Sequence, residues 1–115
     1  MVYNSLSGWI VEFSSRRAEK ELEAMTVDFR ADFARLVDMI QMFGLPEIRE
    51  PHVKHLSGKL WEMRLRGRDG IARAIYLAAH TKRVVVLHCF QKKTQKTPDD
   101  ALIIALKRAK EAGLL

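Results

Sequence analysis

The chain has 115 residues, 48% of them hydrophobic, and its 20 Lys and Arg against 14 Asp and Glu give a formal net charge of +6. This length predicts one domain with a modest core, and the apolar content excludes a disordered chain. The single cysteine, Cys89, excludes an intramolecular disulfide, no Cys/His spacing indicates zinc, and no apolar run approaches the roughly 20 residues that cross a bilayer. The N-terminus has no basic leader before its short apolar run, so we expect a cytoplasmic protein without a secretory signal or a membrane partner.

Positive charge is concentrated in one part of the chain. Residues 52–97 hold eleven Lys or Arg against Glu62 and Asp69, whereas the rest of the chain holds nine Lys or Arg and twelve Asp or Glu. A basic region on an otherwise slightly acidic chain is typical of proteins that bind a polyanion. The alternative is a set of solvated strand edges, where Lys and Arg deter aggregation.

A strand and two helices are predicted in the N-terminal half. The strand covers residues 8–14, Ser14 or Ser15 can cap a first helix over residues 16–24, and a second helix follows over residues 27–43. The apolar residues of the second helix form a single stripe that is predicted to be core: Phe29, Phe33, Leu36, Val37 and Ile40.

Three strands joined by tight turns are predicted over residues 60–66, 71–79 and 83–91. The linking segment before them offers a further short strand at residues 54–56. Residues 60–66 alternate between apolar and polar side chains, which predicts one buried face and one solvent-exposed face. The buried face is expected to contain Trp61, Met63 and Leu65, and the exposed face Glu62, Arg64 and Arg66.

Arg73 is the charged residue inside the otherwise apolar strand over residues 71–79. A charge in such a strand is costly unless it has a partner or a function. An ion pair with Glu62 or with a carboxylate of a helix is the structural explanation, and contact with a bound polyanion is the functional one.

A third helix is predicted at the end of the chain. Thr97 is the expected N-cap, Pro98 suits the first helical position, and Gly113 is the expected stop. The apolar face of this helix is expected to contain Leu102, Ala105, Leu106 and Ala109. The order β-α-α-β-β-β-α predicts an α+β fold, with helices packed on one face of a small antiparallel sheet, in a single domain over residues 1–115.

Three segments in the second half of the chain carry a family resemblance. They are KHLSGKLWEMRL at residues 54–65, ARAIY at residues 72–76, and VVVLHCFQKKTQKTP at residues 84–98, which a helix follows. Together with the N-terminal strand and helix pair, this ordered set resembles the RelE/ParE superfamily of toxins from bacterial type II toxin–antitoxin systems. It is most similar to the HigB-like branch, which includes phage-derived proteins, and the RelE-like fold is therefore expected.

The resemblance implies a ribosome-dependent endoribonuclease that cleaves translated mRNA and is silenced by a cognate antitoxin, expected to be of helix-turn-helix type and encoded adjacently. It implies a basic cluster at the catalytic site, with no metal and no other cofactor. The residues that correspond to this cluster are Arg64, Arg73, Lys92 and Lys93. Contacts with RNA and the ribosome are expected from Lys54, His55, Lys59, Arg66, Arg68, Phe90 and Lys96.

Metal-free RNA cleavage requires the 2′-OH to attack the adjacent phosphorus. Arg73 is the first choice for stabilising the phosphorane and Arg64 for positioning it, because a guanidinium grips two phosphate oxygens and stays ionised. Such aimed positive groups contribute about 3–4 kcal/mol each. Glu62 and His88 are the candidates for acid/base catalysis, with a surface ion pair and a core histidine as their structural alternatives. Several relatives use a Tyr or His near the C-terminus, and no Tyr follows Tyr76 here.

Two other functions remain open from the sequence. A ParE-like toxin would poison DNA gyrase on the same fold, and DNA-damage signalling rather than translation arrest would distinguish it. A catalytically inert module that binds RNA or an antitoxin is suggested by the missing clear acid/base residue. Salt-sensitive RNA binding without cleavage would identify such a module.

Overall fold

The computed structural model describes residues 6–92 and 97–115. A short 3₁₀ turn at Leu45–Glu47 follows the second helix. The helices and strands of the described residues are β1 (Ile10–Phe13), α1 (Arg16–Glu23), α2 (Val27–Phe43), β2 (Val53–Ser57), β3 (Leu60–Gly67), β4 (Gly70–Ala79), β5 (Arg83–Lys92) and α3 (Asp99–Glu111).

The strands of the described residues form one sheet in the order β1-β5-β4-β3-β2. Strands β2 to β5 pair antiparallel with their neighbours, whereas β1 pairs parallel with β5. The α+β class is therefore confirmed, but the sheet is mixed and has one strand more than the predicted order contained. The chain between β1 and β5 includes two helices and three strands, which is long enough to bring β5 back in the same direction as β1.

Helices cover both faces of the sheet, so the prediction that they pack on one face was wrong. One cluster joins α2 to alternate residues of β3 and β4, among them Met63 and Ala74. The other cluster joins α3 to the intervening residues, among them Leu60 and Ile75. Because side chains alternate between the faces of a strand, two interleaved apolar sets require two covering layers.

Helix α3 packs on the sheet through small side chains. Ala101, Ala105 and Ala109 are buried, whereas Leu106 is exposed, so the predicted apolar face of α3 was only partly correct. Three alanines one turn apart form a narrow stripe that allows a close approach between the helix and the sheet. Gly113 has a positive φ of 73° just beyond the helix, as expected for a C-terminal stop.

Helix α2 is fixed to the β3–β4 hairpin by polar contacts. The Asp32 carboxylate accepts a hydrogen bond of 2.8 Å from the Arg66 amide, and the Asp28 carboxylate accepts one from the Arg68 amide. At Gly67, an added Cβ would lie 2.5 Å from Phe29 Cε1, so the helix approaches the hairpin too closely for a side chain there. These contacts position the strand that carries Glu62 and Arg64.

Candidate functional site

Two arginines face each other across neighbouring strands. Arg64 of β3 lies directly opposite Arg73 of β4 in the antiparallel register. Like charges at opposite positions of a sheet repel each other. Glu62 offsets this repulsion, because its Oε1 lies 3.6 Å from Arg73 Nη1 and 3.9 Å from Arg64 Nε.

Glu62 and Arg73 are buried, which corrects the prediction of a solvent-exposed face at Glu62, whereas Arg66 on the same face of β3 is exposed as predicted. Glu62 is 1% exposed and Arg73 is 3% exposed, whereas the Arg64 side chain is 27% exposed. Thr97 Oγ1 donates a hydrogen bond of 2.9 Å to Glu62 Oε2. Thr97 is therefore not the N-cap of α3; the helix begins at Asp99, and Thr97 instead brings the start of α3 against the sheet.

Several donors of the two guanidinium groups have no acceptor among residues 6–92 and 97–115. Arg64 Nε, Arg73 Nε and Arg73 Nη1 are buried and have no hydrogen-bond partner in the described part of the chain. Burial lowers the pKa of Arg73, the nearby Glu62 carboxylate opposes that change, and Arg64 adds to it. An anionic group with several oxygen atoms would satisfy donors that Glu62 leaves free.

A cavity of about 400 Å³ adjoins this charge cluster. Lys54 and His55 of the edge strand β2 are both exposed at it. His55 is hydrogen-bonded through Nε2 to the Gly58 carbonyl oxygen at 2.7 Å. The described residues that line the cavity are Lys54, His55, Leu56, Glu62, Arg64, Thr97 and Leu102. The fold thus brings four of the predicted site residues, namely Lys54, His55, Glu62 and Arg64, to one cavity beside Arg73.

Other predicted RNA contacts lie away from this cavity or outside the described residues. Lys59, Arg66 and Arg68 are exposed on β3 and the turns that flank it. The backbone of Lys92 pairs with Ile71 at the end of β5. The Lys92 side chain and the whole of Lys93 and Lys96 lie outside the described residues.

His88 belongs to a separate ion-pair network. Its Nδ1 lies 3.0 Å from Glu21 Oε1. Arg108 donates to both Glu21 oxygens, at 2.8 and 3.0 Å, and the Cys89 amide donates to the same carboxylate at 3.1 Å. Burial by itself raises the pKa of Glu21, but the hydrogen bonds from Arg108, His88 and Cys89 outweigh it and lower that pKa. The network joins α1, β5 and α3, which gives His88 a structural role.

Glu21 and Arg108 were not found from the sequence. Each is separated from its partners in the network by at least 20 positions along the chain. A charged residue on a helix normally indicates only a solvated face, so no local pattern identifies this pair.

Trp61 lies in a different environment from the one predicted, and Phe90, a predicted RNA contact, is partly buried. Trp61 was expected in the core but is 39% exposed. Its ring contacts the His55 ring edge-on at 5.1 Å. Phe90 is half-buried against the α3 cluster and stacks on His88 at 5.1 Å.

A second, mainly apolar cavity of about 550 Å³ is also lined by Trp61. Its other lining residues are Leu45, Pro46, Ile48, Arg49, Glu50, Val53, His55, Tyr76 and Ala78.

Neither a metal-binding cluster nor a membrane-spanning helix is present among the described residues. No group of three or more His, Cys, Asp or Glu side chains within residues 6–92 and 97–115 is arranged to hold a metal ion. Among the helices described, none combines the length and the apolar character needed to cross a membrane.

Comparisons with known proteins agree with this architecture. The family model of the phage derived protein Gp49-like (DUF891) family matches residues 20–110. The crystal structure of the archaeal RelE–RelB complex from Pyrococcus horikoshii OT3 contains a similar chain, with a TM-score of 0.54 and 22% sequence identity over 73% of this chain and 94% of that chain. At this identity the structural match shows the fold alone, and no curated protein matches. The chain belongs to the phage derived protein Gp49-like family, a RelE-like toxin family of toxin–antitoxin systems.

Proposed function

We propose that this protein is a HigB-like toxin that cleaves translated mRNA on the ribosome without a metal ion. The observation that carries the proposal is the cross-strand pair Arg64–Arg73 beside a cavity that is also lined by Lys54 and His55. Positive groups fixed in a partly water-excluded site stabilise the charge that develops on a phosphorane. An antitoxin partner, the ribosome and mRNA are parts of this proposal, and RelB is the partner named for the P. horikoshii RelE chain.

The chemistry assigns a role to each charged residue. The RNA 2′-OH loses its proton to a base and attacks the adjacent phosphorus, the bond to the 5′ oxygen breaks, and water protonates that oxygen, so that a 2′,3′-cyclic phosphate and a 5′-OH form. Arg73 contributes positive charge to the phosphorane, and the more accessible Arg64 holds a phosphate oxygen. Lys92 and Lys93 are proposed to complete the cluster, as the family resemblance implies.

Glu62 is the better placed of the two acid/base candidates. Its carboxylate lies beside Arg64 and Arg73, so it could accept the 2′ proton from a substrate held there. His88 instead contacts Glu21 and Arg108 through its Nδ1 atom. We therefore propose Glu62 as the general base and leave His88 out of the proton transfer.

The test is cleavage of a translated mRNA on purified ribosomes, read by primer extension. Arg64→Gln removes a charge that is only partly buried, so the fold should survive and cleavage should fall by about 100-fold or more. Arg35→Gln is a matched control, because Arg35 lies on the exposed side of α2 and pairs with Asp32. Equal cleavage by Arg64→Gln and the control would contradict the site assignment.

An inert binding module is the second candidate, and the burial of Arg73 favours it. A substrate cannot reach a guanidinium that is 3% exposed unless the start of α3 or the Glu62 side chain moves. Salt-dependent RNA binding by the wild-type protein, without cuts in the mRNA on ribosomes, would support this module over the toxin.

A further inference from the structure

The Glu62 carboxylate differs from the other arginine-bound carboxylates of the described chain. Glu12 and Glu21 each accept hydrogen bonds from two nitrogens of one arginine, Arg83 and Arg108 respectively. Glu62 lies 3.6 and 3.9 Å from its two arginines, beyond the usual N–H···O distance of about 3 Å. It offsets their charge but does not satisfy their donors.

The unpaired N–H donors of Arg64 and Arg73 indicate that the site suits an oxygen-rich anion. Arg64 Nε, Arg73 Nε and Arg73 Nη1 are buried without a hydrogen-bond acceptor in the described residues. Buried donors of charged groups are normally paired, because an unpaired one loses its hydration without compensation. A phosphate has more acceptor positions than a carboxylate and suits two converging guanidinium groups.

Thr97 holds the Glu62 carboxylate in place. Its hydroxyl donates a hydrogen bond of 2.9 Å to Glu62 Oε2, whereas Glu62 Oε1 makes the closest contacts with the two arginines. Both Glu62 and Thr97 are buried, so water competes little for this hydrogen bond. The first residues of the α3 region are thereby connected to the charge cluster.

We infer that Glu62 occupies the position of an RNA phosphate between Arg64 and Arg73 in the free protein, and that Thr97 retains it there. The carboxylate therefore masks the anion site and must move aside before a phosphate binds. This inference rests on the proposed function for the identity of the anion. It adds a regulatory contact, Thr97–Glu62, and requires Glu62 to act as the proposed base from its displaced position beside the bound phosphate.

The experiment measures binding rather than cleavage. A short, fluorescently labelled RNA with 2′-O-methyl groups at every position has no nucleophile and cannot be cut, so its affinity for the free protein is read by fluorescence anisotropy at fixed salt. Glu62→Gln removes the masking charge and should raise the affinity by about tenfold or more, since a like charge beside a phosphate is costly. Thr97→Val keeps the carboxylate, removes its hydrogen bond and should raise the affinity by a smaller factor.

Two further variants test whether the gain in RNA affinity arises at the arginine pair. Glu111→Gln makes the same change in net charge at an exposed position on α3 and should bind the RNA no more than about twofold tighter than the wild type. Adding Arg64→Gln to Glu62→Gln should remove most of the gain. A gain in Glu62→Gln that persists without Arg64, or that is equalled by Glu111→Gln, would overturn the inference.

The result of this binding experiment can be distinguished from the result of the cleavage test of the proposed function. If Glu62→Gln fails to fold by circular dichroism, Thr97→Val decides: tighter binding than the Glu111→Gln control supports the inference, and unchanged binding overturns it. Tighter binding in the variants, with no mRNA cleavage by the wild type on ribosomes, would contradict the proposed nuclease and still support the masked anion site.

Discussion

Arg73 and Glu62 lie on neighbouring strands and form an ion pair of 3.6 Å in which both side chains are almost completely buried. Their pairing explains how a charge is tolerated in the middle of an apolar strand. Transfer of either ion alone from water to this environment would cost several kcal/mol. Each of the two ions therefore depends on the other for its stability in the fold, and variants of Arg73 affect stability as well as the proposed chemistry.

Loss of Arg73 alone should destabilise the protein strongly. Arg73→Met leaves Glu62 buried without its nearest cation and should lower the free energy of unfolding by about 3–5 kcal/mol. Adding Glu62→Gln should recover part of this loss, because the remaining polar group is neutral. Urea denaturation of the two single variants and the double variant measures the coupling. Additive effects would show that the two side chains do not interact in solution.

The Glu21 network predicts a dependence of stability on acid. The pKa of Glu21 is lower in the folded protein than in the unfolded chain, so the folded state binds fewer protons in acid. The stabilisation is present in full above about pH 5 and is lost as the pH falls through the lowered pKa of Glu21. Glu21→Gln should lower the free energy of unfolding by about 2–4 kcal/mol at pH 7, because Arg108 keeps a buried charge without its partner.

Denaturation curves between pH 3 and pH 7 test the sign of this effect. The difference in stability between the wild type and Glu21→Gln should shrink as the pH falls. Glu47→Gln serves as a control, since Glu47 is exposed and has no ion pair in the described structure. A difference that stays constant down to pH 3 would contradict the assigned role of Glu21.

Gly67 should not tolerate a side chain. Gly67→Ala places a Cβ 2.5 Å from Phe29 Cε1 and 2.7 Å from Asp28 Oδ2, and Phe29 is a core residue with little room to move. We expect a loss of about 1–3 kcal/mol in the free energy of unfolding from this overpacking. In a Phe29→Leu background the same substitution should cost less, by at least about 0.5 kcal/mol in a double-mutant cycle. An equal cost in both backgrounds would exclude the contact as its cause.

Cys89 should be unreactive in the folded protein. Burial, with a smaller contribution from the negative charge of Glu21, raises the pKa of the Cys89 thiol to about 12. Since the thiolate is the reactive species, alkylation near neutral pH should proceed only as fast as the protein unfolds. The chain contains one cysteine, so mass spectrometry after timed exposure to iodoacetamide gives an unambiguous rate. Rapid labelling of the native protein at pH 8 would contradict this burial.

Local patterns in the sequence were sufficient for most individual elements. The apolar stripe of α2 predicted a helix over residues 27–43, and the structure has it at Val27–Phe43. Ser15 caps α1 through a hydrogen bond to the Ala18 amide, and the three long strands lie within one or two residues of their predicted bounds. These features depend on neighbours three or four positions away, or on alternation within one strand, so the sequence by itself determines them.

Only the tertiary structure decided how these elements meet. The parallel pairing of β1 with β5, the exposure of Trp61 and the burial of Glu62 beside Thr97 all depend on contacts between distant positions. The candidate site shows the same division. Arg64 was assigned from the family resemblance, whereas the sequence identified Arg73 as unusual and even suggested the pair Arg73–Glu62, because a charge in an apolar strand requires an explanation. The sequence could not show that Thr97 holds Glu62 between the two arginines, since a hydrogen bond that spans 35 positions leaves no periodic trace in the chain.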